Sequence, residues 1–217
     1  MKYAVLGTGM VGHSLATKLV KLGHEVRMGA RSADNEKAAS WAQENGMLAG
    51  SGAYSEVAQW ADRVIFAVNG ARILEVADAL ADGDVTGKTV LDVTNPLDTS
   101  NGMPSTLIPE LSNTTSAGEQ LQIRIPSANV VKSLNTMNHL LMVDPARLPG
   151  EHDVFLCGDD ASAKADVVQL LNEFGWSDPI DLGPLAAARG LEGMMPFWLS
   201  FWSVVGSSDF NYRIVRT

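Results

Sequence analysis

The sequence predicts an α/β protein with a doubly wound parallel β-sheet and a small C-terminal α/β extension. Short apolar runs alternate along the chain with segments whose apolar residues recur at the helical period. Uninterrupted apolar runs are typical of parallel strands that are buried on both faces of a sheet. At about 150 residues per domain, the 217 residues provide one large domain, or one domain with an appendage.

Each element is predicted from its own pattern. The predicted strands are residues 3–6, 25–28, 64–68, 89–93, 129–132, 154–157 and 179–182. Between the first two, Val11, Leu15 and Leu19 form the apolar stripe of a helix that ends at Gly23. Further helices are predicted over residues 35–44, 71–81 and 161–173. This alternation implies right-handed crossovers between neighbouring strands.

Composition excludes several classes of partner. The chain has 16 Lys and Arg against 25 Asp and Glu, a net charge of −9, so no nucleic-acid partner is expected. Its one cysteine, Cys157, excludes an internal disulfide and a multi-cysteine zinc site, and no metal site is predicted. No export signal precedes the first strand, and the longest apolar stretch, residues 194–205, is shorter than the roughly 20 residues of a membrane span. We therefore expect a cytoplasmic protein without a membrane partner.

A glycine-rich turn follows the first strand. Its GxGxxG pattern is formed by Gly7, Thr8, Gly9, Met10, Val11 and Gly12. In such a turn the first glycine permits the tight bend, the second lets the backbone approach a pyrophosphate, and the third allows close helix–strand packing. The helix N-terminus then offers free N–H groups to the anion. The pattern predicts that residues 1–140 form a Rossmann-like dinucleotide-binding domain, and that residues 141–217 form a small part that covers the site.

The end of the second strand predicts the type of nucleotide. NAD sites usually carry Asp or Glu there, whereas this strand continues into Ala30, Arg31 and Ser32. A guanidinium group binds a ribose 2′-phosphate through paired hydrogen bonds. Lys37 and the Ser32 hydroxyl are placed to add contacts. We therefore predict NADP rather than NAD, the alternative being that Arg31 is a solvated charge.

Three strand ends carry polar residues where a nicotinamide is expected, because ligands bind at the carboxyl ends of such strands. Val68 and Asn69 follow one strand, Asn95 and Pro96 the next, and Asn135 a third. Asn69 and Asn95 suit contacts with the nicotinamide ribose or carboxamide; their alternative role is turn formation. No acid–base catalyst is evident at these ends, so no catalytic residue is predicted, and His139 is interpreted as structural or surface-exposed. Hydride transfer between two planar rings chiefly requires that the protein position them.

Two segments interrupt the alternation. Residues 98–117 are rich in Ser and Thr, and form either a lid or a surface excursion with a short helix around residues 107–111. Residues 184–205 are aromatic-rich, helical and uncharged after Glu192. One side of that segment must be covered, by the core, an acceptor or a second subunit.

Several motifs in a fixed order resemble a known family. VLGTGMVG, LGHEVRMGAR, NPL, VVKSLNT, CGDD and DLGPLAAARGLE are similar to segments of the deazaflavin (coenzyme factor 420)-dependent NADP reductases and their bacterial NADP-binding oxidoreductase relatives. The resemblance covers nearly the whole chain.

The resemblance implies a homodimer with its interface in the C-terminal part, and NADP bound by the glycine turn and by Ala30 and Arg31. It also implies that the nicotinamide lies near Val68, Asn69 and Asn135, stacked against the acceptor. The chain departs from the archaeal members at Asn135, where they have histidine, in residues 94–104, and at its aromatic C-terminal end. These departures fall where the acceptor would bind.

The leading hypothesis is an NADPH-dependent oxidoreductase that transfers hydride between NADP(H) and a planar small-molecule acceptor, such as a deazaflavin or flavin. A ferric metalloreductase is a second enzyme hypothesis, based on related cytosolic domains. A non-catalytic NADP-binding sensor is the third, because no general acid is evident.

Overall fold

A computed structural model describes residues 1–81 and 83–215. In these residues one eight-stranded sheet has the order β10-β9-β8-β5-β4-β1-β2-β3. All neighbouring strands are parallel except β8 and β9. The strand order reverses beside β1, so the carboxyl ends of β1 and β4 border the crevice where doubly wound sheets bind ligands. The predicted Rossmann-like α/β fold is confirmed.

The elements follow one another along the chain as β1 (Lys2–Leu6), α1 (Met10–Lys21), β2 (Glu25–Ala30), α2 (Glu36–Asn45), β3 (Ala49–Ala53), α3 (Tyr54–Trp60), β4 (Arg63–Phe66), α4 (Ile73–Asp78), β5 (Thr89–Asp92), β6 (Leu97–Asp98), β7 (Thr106–Leu107), α5 (Ala117–Arg124), β8 (Asn129–Ser133), α6 (His139–Val143), β9 (Phe155–Gly158), α7 (Ala161–Phe174), β10 (Ile180–Asp181), α8 (Ala188–Gly193) and α9 (Met195–Val205).

Helices cover both faces of the sheet and form two apolar cores. Alternate side chains of each strand enter opposite cores, so Tyr3 and Val5 pack on one face while Ala4 and Leu6 pack on the other. The first core contains side chains of α1, α2, α6 and α7. The second contains those of α3, α4, α5 and α8. The continuous apolar runs of the sequence therefore reflect strands that are buried on both sides.

The structure differs from the predicted elements in several places. β3 and α3 were not predicted, since the sequence AGSGA of β3 lacks large apolar side chains. The strand predicted over residues 64–68 ends at Phe66. β9 and β10 run opposite to the other strands. A parallel neighbour of β8 would need a crossover connection over the sheet, whereas an antiparallel one does not. The predicted parallel sheet therefore contains one antiparallel pair, β8–β9, among the described residues.

The excursion of residues 98–117 begins beside a small hairpin. Leu97 pairs with Leu107 and Asp98 with Thr106 in the antiparallel pair β6–β7. The helix predicted around residues 107–111 is a single 3₁₀ turn over Pro109–Leu111. Residues 98–107 therefore form a closed loop whose two ends lie just after β5, where the Ile108 N–H also donates to the Pro96 carbonyl oxygen at 2.8 Å. Whether the segment acts as a lid stays a prediction.

A buried ionic cluster joins the sheet to the C-terminal part. Lys132 on β8 lies beside Asp92 on β5 in the strand register, and its ammonium is 2.9 Å from Asp92 Oδ2 and 2.7 Å from Glu192 Oε1 of α8. The side chains of Lys132 and Asp92 are fully buried and that of Glu192 is 2 % exposed. Burial alone would lower the pKa of Lys132, but the two carboxylates outweigh it and raise this pKa.

The C-terminal end is rich in exposed apolar surface. On α9, Phe197, Phe201, Trp202 and Val204 are exposed. After the helix, the Phe210 ring stacks on that of Trp198 and meets that of Phe201 edge to face. Within the described residues, no helix is long and apolar enough to span a membrane. The covering expected for residues 184–205 is therefore only partly supplied by the chain itself.

We expect the substitution Lys132→Met to lower the free energy of unfolding by about 3–5 kcal/mol, since two buried carboxylates would lose their cation. Urea denaturation measures this loss. As a matched control, Arg124→Met removes the cation of the exposed ion pair with Asp78 and should cost less than about 1 kcal/mol. Similar losses in both variants would contradict the role of the cluster.

Candidate functional site: a dinucleotide cleft at the strand ends

The glycine turn connects β1 to α1 with no room for side chains at its first and last positions. Gly7 has a φ of +126°, and a Cβ there would lie 2.4 Å from the carbonyl oxygen of Ala67. A Cβ at Gly12 would lie 2.1 Å from the carbonyl oxygen of Gly7. A Cβ at Gly9 would meet no atom within 4 Å. The outer glycines are therefore needed for packing, whereas Gly9 presents bare backbone to open space.

The N-terminus of α1 opens at Gly9 without a competing anion. Gly9 is the N-cap residue, no side chain caps it, and the first turn of the helix contains no acidic residue. The first N–H groups of a helix have no partner inside the helix, and the helix dipole favours negative charge there. This end of α1 is therefore suited to a phosphate or pyrophosphate group.

Two clefts flank the glycine turn. The first, of about 350 Å³, is lined by Gly7, Thr8, Gly9, Arg31, Tyr54, Ala67, Val68, Asn69, Arg72, Glu75, Val76 and Ala79. The second, of about 660 Å³, is lined by Thr8, Gly9, Met10, His13, Ser14, Glu36, Lys37, Ser40, Trp41, Glu44 and His139. Thr8 and Gly9 line both, so one extended ligand is able to pass over the turn.

The first cleft contains two arginines and a tyrosine. Arg31, predicted from the end of β2, is exposed there. Burial raises the pKa of the Tyr54 hydroxyl, and the nearby charge of Arg31 opposes that rise. Arg72 was not predicted as a site residue, although it lies three residues after Asn69 in the segment that follows β4. Its guanidinium bonds Glu75 at 2.9 and 3.1 Å. A search of the strand-end loops for cations would have found it.

His139 connects α6 to α1 at the second cleft. Its Nδ1 is 2.7 Å from the Ser14 hydroxyl oxygen. Burial, together with the charge of Arg147, lowers the pKa of His139 below its usual value. The imidazole is therefore predominantly neutral near pH 7. The contact is consistent with the structural role expected for His139.

Asn95 and Asn135 form a reciprocal pair at the ends of β5 and β8. Asn135 Nδ2 donates to Asn95 Oδ1 at 2.8 Å, and Asn95 Nδ2 donates to the Asn135 carbonyl oxygen at 2.8 Å. Asn135 Nδ2 also donates to the Leu191 carbonyl oxygen at 3.1 Å. Asn135 is 1 % exposed, yet its Oδ1 has no hydrogen-bond partner. A buried acceptor without a donor is unfavourable unless a ligand supplies one.

Asn69 forms a turn, which is the alternative role that the sequence allowed for it. Its Oδ1 accepts from the Ala71 N–H at 2.9 Å and begins a 3₁₀ turn. A Cβ at the next residue, Gly70, would lie 1.9 Å from the carbonyl oxygen of Asn95. The loops after β4 and β5 are therefore in direct backbone contact, which gives the strand ends a fixed relative position.

The structure brings six of the predicted residues into the first cleft: Gly7, Thr8, Gly9, Arg31, Val68 and Asn69. Met10 lines the second. Ser32 is exposed beside Arg31, whereas Ala30, Gly12 and Pro96 are buried and Val11 is half-buried. Neither cleft is lined by Asn95 or Asn135. No cluster of three or more metal-ligating side chains is found in residues 1–81 and 83–215.

The fold and the glycine turn together define a dinucleotide-binding α/β protein. The model of the family "NADP oxidoreductase coenzyme F420-dependent" matches residues 2–96. A protein from Arthrobacter sp. FB24, whose crystal structure was solved as that of a candidate F420-dependent NADP reductase, is 44% identical, with a TM-score of 0.93 and full coverage of both chains. The chain belongs to the coenzyme F420-dependent NADP oxidoreductase family.

Two further relatives have names that state an activity. The F420-dependent NADP reductase of Methanocaldococcus jannaschii is 29% identical over 100% of this chain and 99% of the relative. Metalloreductase STEAP3 of Rattus norvegicus is 30% identical over 94% of this chain. The chain spans 38% of the length of that metalloreductase. The second similarity therefore concerns one part of a longer protein.

Two alanine substitutions in the glycine turn should have different effects: Gly9→Ala on ligand binding and Gly12→Ala on folding. An alanine at Gly9 meets no protein atom, so we expect an unchanged Tm, while the methyl group holds a pyrophosphate away and weakens NADPH binding about tenfold or more. An alanine at Gly12 is forced against the Gly7 carbonyl and should lower the Tm. Calorimetric titration and thermal melts measure the two effects. Unimpaired NADPH binding by a folded Gly9→Ala variant would contradict the role of the turn.

Proposed function

We propose that this protein is an NADPH-dependent oxidoreductase that transfers hydride between NADP(H) and a deazaflavin of the coenzyme F420 type. The observation that carries the proposal is the open backbone at Gly9. This residue precedes the uncapped N-terminus of α1 and lines the same cleft as Arg31. The names of its relatives, two of which are called F420-dependent NADP reductases, support the choice of cofactor and acceptor.

Residues of the glycine turn would hold the pyrophosphate. The free N–H groups at the start of α1, from Met10 and Val11, are the donors, and Gly9 leaves space for the phosphate oxygens. Arg31 would bind the ribose 2′-phosphate, with the Ser32 hydroxyl and Lys37 beside it. The end of β2 carries no carboxylate that would repel this phosphate. These features favour NADP over NAD.

The residues at the other strand ends fit a nicotinamide carboxamide. The unpartnered Oδ1 of Asn135 is an acceptor that an amide N–H₂ group satisfies. Asn95 holds the Asn135 amide in place, and Pro96 fixes the backbone beside it. The Oδ1 of Asn69 is used in the turn, but Asn69 is exposed, so its Nδ2 is able to donate to a ligand, and Val68 supplies apolar contact. We propose that these residues orient the nicotinamide ring.

The chemistry then requires little from the protein beyond orientation. When bound, NADPH supplies a hydride from nicotinamide C4 to the deazaflavin ring, which also takes one proton from solvent, and the reverse reaction returns both. The chain's residues bind the two rings in contact and exclude water between them. No side chain is assigned a proton-transfer role.

The C-terminal part, residues 141–217, is proposed to cover the site and to form a homodimer. Its support is the exposed apolar surface of α9, which a second copy of the same chain would bury. Replacing both Phe197 and Trp202 by glutamate should give a monomer in light scattering.

A cytoplasmic location is proposed because the one cysteine, Cys157, is an unpaired buried thiol, and disulfides are rare in reducing compartments.

The experiment that tests the function is NADPH oxidation with a panel of acceptors: coenzyme F420, FMN, FAD, a quinone and a ferric chelate. Turnover that depends on the deazaflavin is the expected result, with the Gly9→Ala variant as the matched background. Tight NADPH binding without turnover on any acceptor would overturn it in favour of a sensor. Ferric reduction that needs only added flavin would favour the second candidate, for which the similarity to the metalloreductase is the specific observation.

Arg31→Ala tests the cofactor preference. Charge-assisted hydrogen bonds contribute roughly 1.5–3 kcal/mol each, so the preference for NADPH over NADH should fall about 10- to 100-fold. Titration with both cofactors measures it. Arg27→Ala is the control on the same strand, since the Arg27 guanidinium lies 4.2 Å from the Trp60 ring centroid and away from the cleft. An unchanged preference for NADPH over NADH in Arg31→Ala would contradict the assignment of Arg31 to the 2′-phosphate.

A further inference from the structure

The buried cluster of Lys132, Asp92 and Glu192 has no role in the proposed chemistry, yet its hydrogen bonds are nearly complete. Lys132 Nζ contacts both carboxylates and donates to the Thr94 carbonyl oxygen at 2.6 Å. Asp92 Oδ1 accepts from the Thr94 N–H at 2.8 Å. The ammonium therefore uses all three of its donors inside the protein.

Glu192 accepts hydrogen bonds through both of its oxygens. Oε2 accepts from the Ala117 N–H at 2.8 Å, and Oε1 accepts from the Gly118 N–H at 3.1 Å as well as from Lys132. Ala117 and Gly118 are the first residues of α5. A carboxylate, and no neutral side chain of the same shape, is able to satisfy all three donors. Glu192 thereby fixes α8 against α5 and β8.

The cluster is attached to the Asn95–Asn135 pair at two points. Thr94, whose carbonyl oxygen and N–H are both held by the cluster, directly precedes Asn95. Leu191, whose carbonyl oxygen accepts from Asn135 Nδ2, directly precedes Glu192. The two acceptors of the Asn135 amide, the side-chain Oδ1 of Asn95 and the carbonyl oxygen of Leu191, therefore each belong to a residue next to one that the cluster holds.

We propose that Glu192 and Lys132 are positioning residues for the nicotinamide end of the cofactor. By fixing the backbone at Thr94 and Leu191, they hold Asn135 Nδ2 on protein acceptors, so that Oδ1 stays free for the carboxamide. This inference rests on the proposed function. It predicts that the cluster acts on the nicotinamide half of NADP and not on its adenosine half, which is proposed to bind at the glycine turn and Arg31.

The test compares NADP⁺ with 2′,5′-ADP, a fragment that lacks the nicotinamide. In Glu192→Gln, one of the three donors to Glu192 loses its acceptor, and Leu191 is no longer held in register with Asn135. We expect the Kd for NADP⁺ to rise about tenfold while the Kd for 2′,5′-ADP changes by less than about twofold. Calorimetric titration of the purified chain measures both, without any acceptor or turnover.

A matched variant controls for general destabilisation. Asp166→Asn removes a carboxylate that bonds Arg63 at 2.5 Å and Thr89 at 2.8 Å, the first residues of β4 and β5, at the opposite end of the sheet. It should lower the Tm but leave the ratio of the two Kd values unchanged. Equal shifts for both ligands in Glu192→Gln, or no shift for either, would overturn the inference.

A second measurement uses the wild-type chain, in case Glu192→Gln fails to fold. Because coupling between sites is reciprocal, binding at Asn135 must stabilise the bonds that Glu192 makes. Hydrogen exchange of the Ala117 and Gly118 amides is expected to be slower with saturating NADP⁺ than with saturating 2′,5′-ADP. Equal exchange in the two complexes would contradict the proposal. If neither ligand bound to the wild-type chain, the proposed function itself would fail, which is a separate outcome.

Discussion

The buried ion pairs between the Lys132 ammonium and two carboxylates are the interaction on which the strand-end part of the candidate site depends. Moving a charge out of water costs several kcal/mol per ion, so such a group persists only where its partners are fixed. Here Lys132 itself is on β8, its two carboxylate partners come from β5 and α8, and through Glu192 the cluster also includes the first turn of α5. Four elements that are separate in the sequence are therefore held in one arrangement.

The two halves of the site have different physical origins. The glycine turn and Arg31 belong to a local unit, β1–α1–β2, in which the turn is shaped by backbone contacts such as that of Gly7 with Gly29. The Asn95–Asn135 pair belongs to a long-range unit and is oriented by groups on other elements. A mutation in the first unit should change ligand binding by altering the local backbone. A mutation in the second unit should change it by altering charges and packing on other elements.

This difference also explains how much could be predicted from the sequence. The strand–turn–helix at the N-terminus was predictable because the helical period of α1 and the spacing of Gly7, Gly9 and Gly12 are local signals. β3 was missed because small residues carry no such signal. The buried partners of Lys132, which lies in the predicted strand over residues 129–132, were not predictable, because Asp92 lies 40 positions before it and Glu192 60 after it, and no pattern in the sequence links them. The reversed direction of β9 has the same cause, since strand polarity at a sheet edge depends on connections rather than on periodicity.

The bonds that Glu192 of α8 makes to the cluster and to α5 have a consequence for local unfolding of this protein. Proteins open locally in cooperative units rather than residue by residue. Here α8 cannot leave the sheet without exposing the Lys132–Asp92 pair to solvent, removing one carboxylate from Lys132, and freeing the first N–H groups of α5. The C-terminal part should therefore exchange its amides together with the central strands, as one cooperative unit, and an incompletely synthesised chain should contain a formed phosphate turn beside a disordered nicotinamide edge.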